Sequence, residues 1–170
     1  EKNPLIISGT SLQDPAIMEA AAQVAQNLGA NAGLTLTVPE VNSMGMAILG
    51  GQSLEQAFAQ DYDTIVIVEN DLYRRLPAKQ IDAALAKAKD IIVLDHAETE
   101  TVKKANIVLS AASFAEGDGT VVSQEGRAQR FYQVYDASYY KPEYAIKESW
   151  RWIHAIETGV KGQAISWTVL

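Results

Sequence analysis

The chain has 170 residues, 48% of them hydrophobic and 21% charged, which is enough to bury a core and too apolar for a disordered segment. Its formal charge of -7, with Arg74-Arg75 and Lys103-Lys104 the only adjacent basic pairs, argues against nucleic acid or an anionic membrane surface as the main partner. It contains no cysteine, which excludes disulfides, thiolate zinc sites, cysteine-ligated iron–sulfur clusters and cysteine nucleophiles within these residues, and no apolar run approaches the roughly 20 residues that span a bilayer.

Short apolar runs alternate with helical patterns along the first two thirds of the chain. "PLIIS" (4–8) reads as a strand. A helix follows, with Asp14 as N-cap, Pro15 in its first position, apolar residues at helical spacing from Ile17 to Leu28, and Gly29 as its stop. "LTLTV" (34–38) is a second strand, and "SLEQAFA" (53–59) opens with a Ser53/Gln56 capping box into a short helix. "TIVIVEN" (64–70) is β-branched and nearly all apolar, as expected of a strand covered on both faces. A helix over 76–90 begins near Pro77, "IIVLD" (91–95) is the next buried strand, "TETVKKA" (99–105) a short helix, and "NIVLSA" (106–111) a fifth strand. This alternation predicts an α/β fold: a mostly parallel, Rossmann-like sheet with helices on both faces.

Beyond residue 110 the pattern changes. "GTVVSQEGRAQRFYQVYD" predicts an appended antiparallel hairpin, with Asp118-Gly119 and Glu125-Gly126 as two turns, and with Arg127 and Arg130 available to Glu116, Glu125 or a partner surface. A last helix is expected from about 142, near Pro142, to Gly159. The division expected is 1–138 for the α/β domain and 139–170 for a C-terminal helix and tail. The start without an initiator Met and the apolar ending "AISWTVL" read as a piece of a longer polypeptide.

Chemistry is sparse. The first strand–helix turn, "ISGTSLQDP", has the place of a phosphate-binding corner but one glycine rather than a G-x-G-x-x-G fingerprint, and Asp14 stands where an anion would sit. At the ends of the third and fourth strands stand Glu69, Asn70 and Asp71, then Asp95, His96, Glu98 and Glu100. Strand ends are where open α/β sheets hold ligands, yet Asp71 and Thr99 in these places also suit the capping of the following helices. His96 among carboxylates reads as a solvated surface residue rather than a metal ligand, His154 as a helix residue, and no Ser/His/Asp constellation is present. No catalytic residue and no metal site is expected.

Several segments together resemble the molybdopterin oxidoreductase family. "NSMGMAILGG" is similar to that family's Asn-and-Gly segment, and "VEND" to its strand-end Asn motif. The string "IVLDHAETETVKKANIVLSAASFAEGDGTVVSQEGRAQRF" is similar to its run from D-x-x-x-T-x-T through A-D-x-V-L-P to E-x-x-G-T-x-x-N-x-E-G-R. The likeness covers most of residues 1–140 and is strongest to the branch found in the large iron–sulfur subunit of bacterial NADH-quinone oxidoreductase, respiratory complex I. Ser110 departs from the family's usual Pro and Ser123 from its frequent Asn, and the second change counts against a pterin dinucleotide.

In the molybdenum enzymes, positions such as Gly9, Asn70 and Asp95 would face the nucleotide half of the cofactor. In the complex I branch, the resemblance implies a non-catalytic scaffold domain without a cofactor of its own, the iron–sulfur clusters lying elsewhere in the parent subunit. Its implied partners are the other subunits of the peripheral arm, on the cytoplasmic face of the inner membrane, without direct membrane insertion. The other readings are the cofactor-binding domain of an active molybdopterin enzyme such as a formate dehydrogenase, and a free-standing nucleotide-binding module.

Overall fold

The structure is a computed structural model that describes residues 2–12 and 14–162. In chain order its elements are β1 (Leu5–Gly9), α1 (Pro15–Asn27), β2 (Gly33–Thr37), α2 (Ser43–Leu49), α3 (Leu54–Phe58), β3 (Thr64–Val68), a 3-10 turn (Leu72–Arg74), α4 (Ala78–Leu85), β4 (Asp90–Asp95), a second 3-10 turn (Val102–Lys104), β5 (Ile107–Ser110), β6 (Gly119–Val122), β7 (Ala128–Phe131), α5 (Ala137–Tyr140) and α6 (Ser149–Lys161). They form two compact units, Glu1–Gly51 with Thr120–Phe131, and Gln52–Gly119 with Tyr132–Leu170.

The first unit is a β–α–β crossover plus a hairpin. β1 and β2 run parallel with Leu5 opposite Gly33 and Gly9 opposite Thr37. A parallel pair needs a crossover of a dozen or more residues, which α1 supplies. The start of α1 is set locally: the Ala16 N–H donates to Asp14 Oδ1 at 3.0 Å and Pro15 fills the first turn, where its missing N–H costs nothing. The chain leaves α1 through Gly29 at φ 97°, a conformation only glycine adopts freely. β6 and β7 form the two-stranded hairpin predicted after residue 110.

The second unit is a three-stranded parallel sheet in the order β3-β4-β5, with Thr64 opposite Asp90 and Ile92 opposite Ile107. Its core is Ile67, Leu72, Ile81, Leu85, Ile91 and Val93, with Leu54 and Phe58 of α3 packed against it. The Ser53/Gln56 capping box of α3 is present in both directions, at 3.1 and 3.2 Å. The parallel α/β class read from the sequence is the fold observed, with the strands divided between a two-stranded and a three-stranded sheet.

Four local expectations are corrected. β3 is not covered on both faces: it is an edge strand, and Val66 and Val68 remain 44% and 38% exposed while Val93 and Leu94 of the central β4 are sealed. The strand also stops at Val68, because Glu69 turns into the left-handed region at φ 47°. Asp118-Gly119 is not a hairpin turn, since that turn needs positive φ at both residues and neither has it. Asp118 instead takes the Trp150 indole N–H on its backbone oxygen at 3.3 Å, and the hairpin reverses once, at 123–127, with Gly126 at φ 78°. Finally, no helix runs from 142. Lys147 is extended and bridges in parallel to Ala111: its N–H donates to the Ser110 carbonyl at 3.3 Å, and its carbonyl accepts from the Ala112 N–H at 2.9 Å. α6 therefore begins at Ser149 and ends on Gly162 at φ 67°, past Gly159. Among the described residues no helix is long and apolar enough to cross a membrane.

Candidate functional site

In the second unit the polar residues past the sheet stand where ligands of open α/β sheets bind. Most of their hydrogen-bonding capacity is taken internally. The Glu69 N–H donates to the Leu94 carbonyl at 2.7 Å, and its carboxylate accepts from the hydroxyl of Ser149, the buried first residue of α6. A non-glycine residue at positive φ is uncommon and costs free energy, here offset by these two bonds. Asn70 Oδ1 accepts from Arg75 Nε at 3.1 Å. Asp71 Oδ1 accepts from the Thr101 hydroxyl at 2.8 Å and from the Tyr73 N–H at 3.4 Å, while Thr101 Oγ1, fully buried, accepts from the Leu72 N–H at 2.8 Å. The capping expected of Asp71 is thus seen, and so is that of Thr99, which accepts from the Val102 N–H at 3.2 Å.

Asp95 ends β4 with its side chain only 5% exposed. Its Oδ1 accepts from the N–H groups of His96 at 2.7 Å and Ala97 at 3.1 Å, and His96 Nδ1 lies 3.5 Å away. Asp95 and His96 border an open cleft of about 460 Å³, completed by Ser113 and Glu116 after β5 and by Glu143 and Tyr144 before α6. Within it the Ser113 N–H donates to Glu116 Oε2 at 2.9 Å. Hydrogen bonds from the Ser113 hydroxyl and N–H hold the Glu116 carboxyl below the usual carboxylate range, and His96 adds a smaller attraction. Glu143 and Tyr144 were not legible as cleft residues, because a parallel bridge 36 positions away in sequence, Ala111 to Lys147, brings their segment there.

Gly9 belongs to the first unit. A Cβ there would lie 2.5 Å from Thr37 Oγ1, whose hydroxyl donates to the Ser8 carbonyl at 3.2 Å. Its missing side chain is therefore used by the β1–β2 contact itself. In the "NSMGMAILGG" segment Asn42 sits at the N-cap of α2 yet makes no side-chain cap; its Oδ1 accepts from the Val122 N–H of the hairpin at 2.8 Å. Within α2 a Cβ on Gly45 would lie 2.2 Å from that same Asn42 Oδ1. Among the described residues no group of three or more His, Cys, Asp or Glu side chains is placed to hold a metal ion.

Parallel strands joined by helical crossovers, with polar residues past the strand ends, define an α/β chain. A family model, molybdopterin oxidoreductase, matches residues 1–157, and the chain belongs to the molybdopterin oxidoreductase family. It is 53% identical to the G subunit of NADH-quinone oxidoreductase from Pseudomonas putida, 51% to that of Pseudomonas fluorescens and 48% to that of Escherichia coli, over 99% of this chain in each case. The chain spans about a fifth of the length of these curated relatives.

Proposed function

We propose that this chain is the carboxyl-terminal, molybdopterin-oxidoreductase-like part of the G subunit of a bacterial NADH-quinone oxidoreductase, acting as a non-catalytic scaffold. The parent complex would transfer electrons from NADH through FMN and iron–sulfur clusters to quinone, coupled to proton translocation. The clusters would lie in other parts of the subunit, since this chain has no cysteine to ligate one. Its partners would be neighbouring subunits of the peripheral arm, on the cytoplasmic face of the membrane.

The observation that carries the assignment is 53% identity maintained over 99% of the chain. The scaffold character is supported by how the candidate cofactor positions are used. Gly9 has no space left beside Thr37, the Asn70 oxygen is taken by Arg75, and one Asp95 oxygen by two backbone N–H groups. Each position, taken within its own unit, is already used in this way, so no chemistry is routed through a pterin dinucleotide. The test is a molybdenum and pterin assay of the purified full-length parent. Neither should be found at stoichiometric level; stoichiometric molybdenum would overturn the scaffold reading in favour of an active molybdopterin enzyme.

A further inference from the structure

Phe114, Tyr132, Val134, Tyr135, Tyr139 and Tyr140, all in the second unit, keep between 46% and 82% of their surface open. The fold gathers them. The Ala115 carbonyl accepts the N–H groups of both Val134 and Tyr135 at 3.0 Å, which lays the segment after β7 against the loop that carries Phe114. The Tyr140 ring stacks on Tyr135 with centres 5.8 Å apart and meets Tyr139 edge to face at 5.1 Å. At ~150–250 Å² for each aromatic side chain, the five rings leave roughly 500–800 Å² open. A soluble chain rarely shows a contiguous apolar patch above ~300–600 Å² that it does not use.

The surface is held in place by α6. The Trp152 indole N–H donates to the Ser110 carbonyl at 2.9 Å and that of Trp150 to the Asp118 carbonyl at 3.3 Å, so both ends of the 110–118 loop are fixed by one turn of the helix. A surface ordered before contact loses little entropy on contact. Its charges are engaged locally. Asp136 Oδ1 accepts the Ser138 N–H at 2.9 Å and hydroxyl at 2.6 Å, and the Lys141 ammonium donates to the Tyr144 hydroxyl at 2.9 Å. Glu116 accepts the Ser113 N–H at 2.9 Å, and Asp118 Oδ1 lies 3.7 Å from the Arg151 guanidinium. What faces outward is ring surface and phenol hydroxyls, the composition of the core of a protein contact rather than of a site for an ion or a charged peptide.

We infer that this aromatic surface is covered by an apolar, uncharged part of the same parent polypeptide that lies outside these 170 residues. The inference rests on the subunit reading above and names a contact by which the scaffold is fixed within its own subunit. The chain accounts for 20% of the length of the relative from Pseudomonas putida, so about four-fifths of such a polypeptide is available to cover it. A covalently tethered surface meets its partner at about millimolar effective concentration, ahead of any separate subunit. The area fits as well: contacts between domains of one chain bury ~600–1,500 Å² and are more polar than permanent subunit interfaces, a character the phenol hydroxyls supply.

The experiment uses the full-length parent polypeptide, purified alone and within the assembled complex. The photo-reactive residue p-benzoylphenylalanine replaces Tyr139, Phe114 or, as an exposed control on α4 outside the surface, Lys79. After irradiation the cross-linked peptides are identified by mass spectrometry. Positions 139 and 114 should both capture one region of the parent polypeptide outside residues 1–170, at a yield roughly tenfold above position 79, in the isolated polypeptide as well as in the complex. A peptide from another subunit, captured only in the complex, overturns the proposal. So does a peptide from within residues 1–170, or a yield no higher than at position 79. If neither aromatic variant accumulates, hydroxyl-radical footprinting of the unmodified polypeptide decides. Val134 and Tyr139 should be oxidised about tenfold more slowly than in the urea-unfolded chain, as expected of side chains shut off from water, and rates within about twofold overturn the proposal. A parent polypeptide that does not copurify with NADH-quinone oxidoreductase overturns the subunit reading instead, a result distinct from the cross-link map.

Discussion

Asn42 and Val122 are 80 residues apart in sequence, and the side-chain oxygen of the first accepts the backbone N–H of the second at 2.8 Å. The bond ties the start of α2 to the hairpin, and it depends on a third residue. A Cβ on Gly45 would lie 2.2 Å from Asn42 Oδ1, so only glycine leaves that oxygen in place. In an ordinary helix Gly→Ala stabilises by up to about 1 kcal/mol. Here Gly45→Ala should destabilise by about 1–2 kcal/mol, since it displaces the acceptor of a part-buried N–H. A double-mutant cycle checks the cause: in an Asn42→Ala background the Gly45→Ala penalty should disappear, and a penalty of unchanged size would assign it to some other contact.

Thr101 is fully buried and relays between Asp71 and the Leu72 N–H. Thr101→Val keeps the shape and removes both bonds, leaving a buried N–H without an acceptor; the expected loss is about 1–3 kcal/mol. Thr101→Ser keeps the hydroxyl and should cost less. Urea denaturation midpoints at constant slope distinguish the two, and equal losses for both variants would mean that packing, not the relay, holds this turn.

Ile81, fully buried on α4, is part of the cluster that includes Ile67 and Val93 of the sheet. Ile81→Ala should cost about 2–5 kcal/mol, the range for truncating an enclosed aliphatic residue. A loss below about 1 kcal/mol on chemical denaturation would show that α4 is only loosely packed on the sheet.

Glu116 makes the second unit acid-sensitive. Because the Ser113 hydroxyl and N–H depress its folded pKa below the ordinary 4.5, its contribution is present in full above that value and is lost as pH falls through the depressed folded value. Stability measured between pH 7 and 3 should therefore decline below about pH 4.5 less steeply in Glu116→Gln than in wild type. Parallel profiles would count against the Ser113 bonds as the cause.

Guanine nucleotides should not stabilise the chain. With millimolar GDP the melting temperature is expected to stay unchanged, since the Gly9 and Asn70 positions are already used by Thr37 and Arg75. A rise of several degrees would show that a nucleotide site is retained.

What the sequence alone determined was whatever a few neighbouring residues decide. Asp14 with Pro15 and Ser53 with Gln56 start their helices through bonds spanning two or three positions, so these were legible in the string, as was the parallel α/β class from strands alternating with helices. The long run through 92–131 identified the family without revealing a mechanism. Only the tertiary structure decided that β3 stops at Val68, before Glu69, that Asp118-Gly119 is no hairpin turn, and that residues near 147 extend beside Ala111 and delay α6 to Ser149. It also decided the cleft, by bringing Glu143 and Tyr144 to Asp95 and Glu116. The reason is physical: each of these features depends on a partner tens of residues away, and a backbone donor carries no mark in the sequence of the acceptor that folding will bring to it.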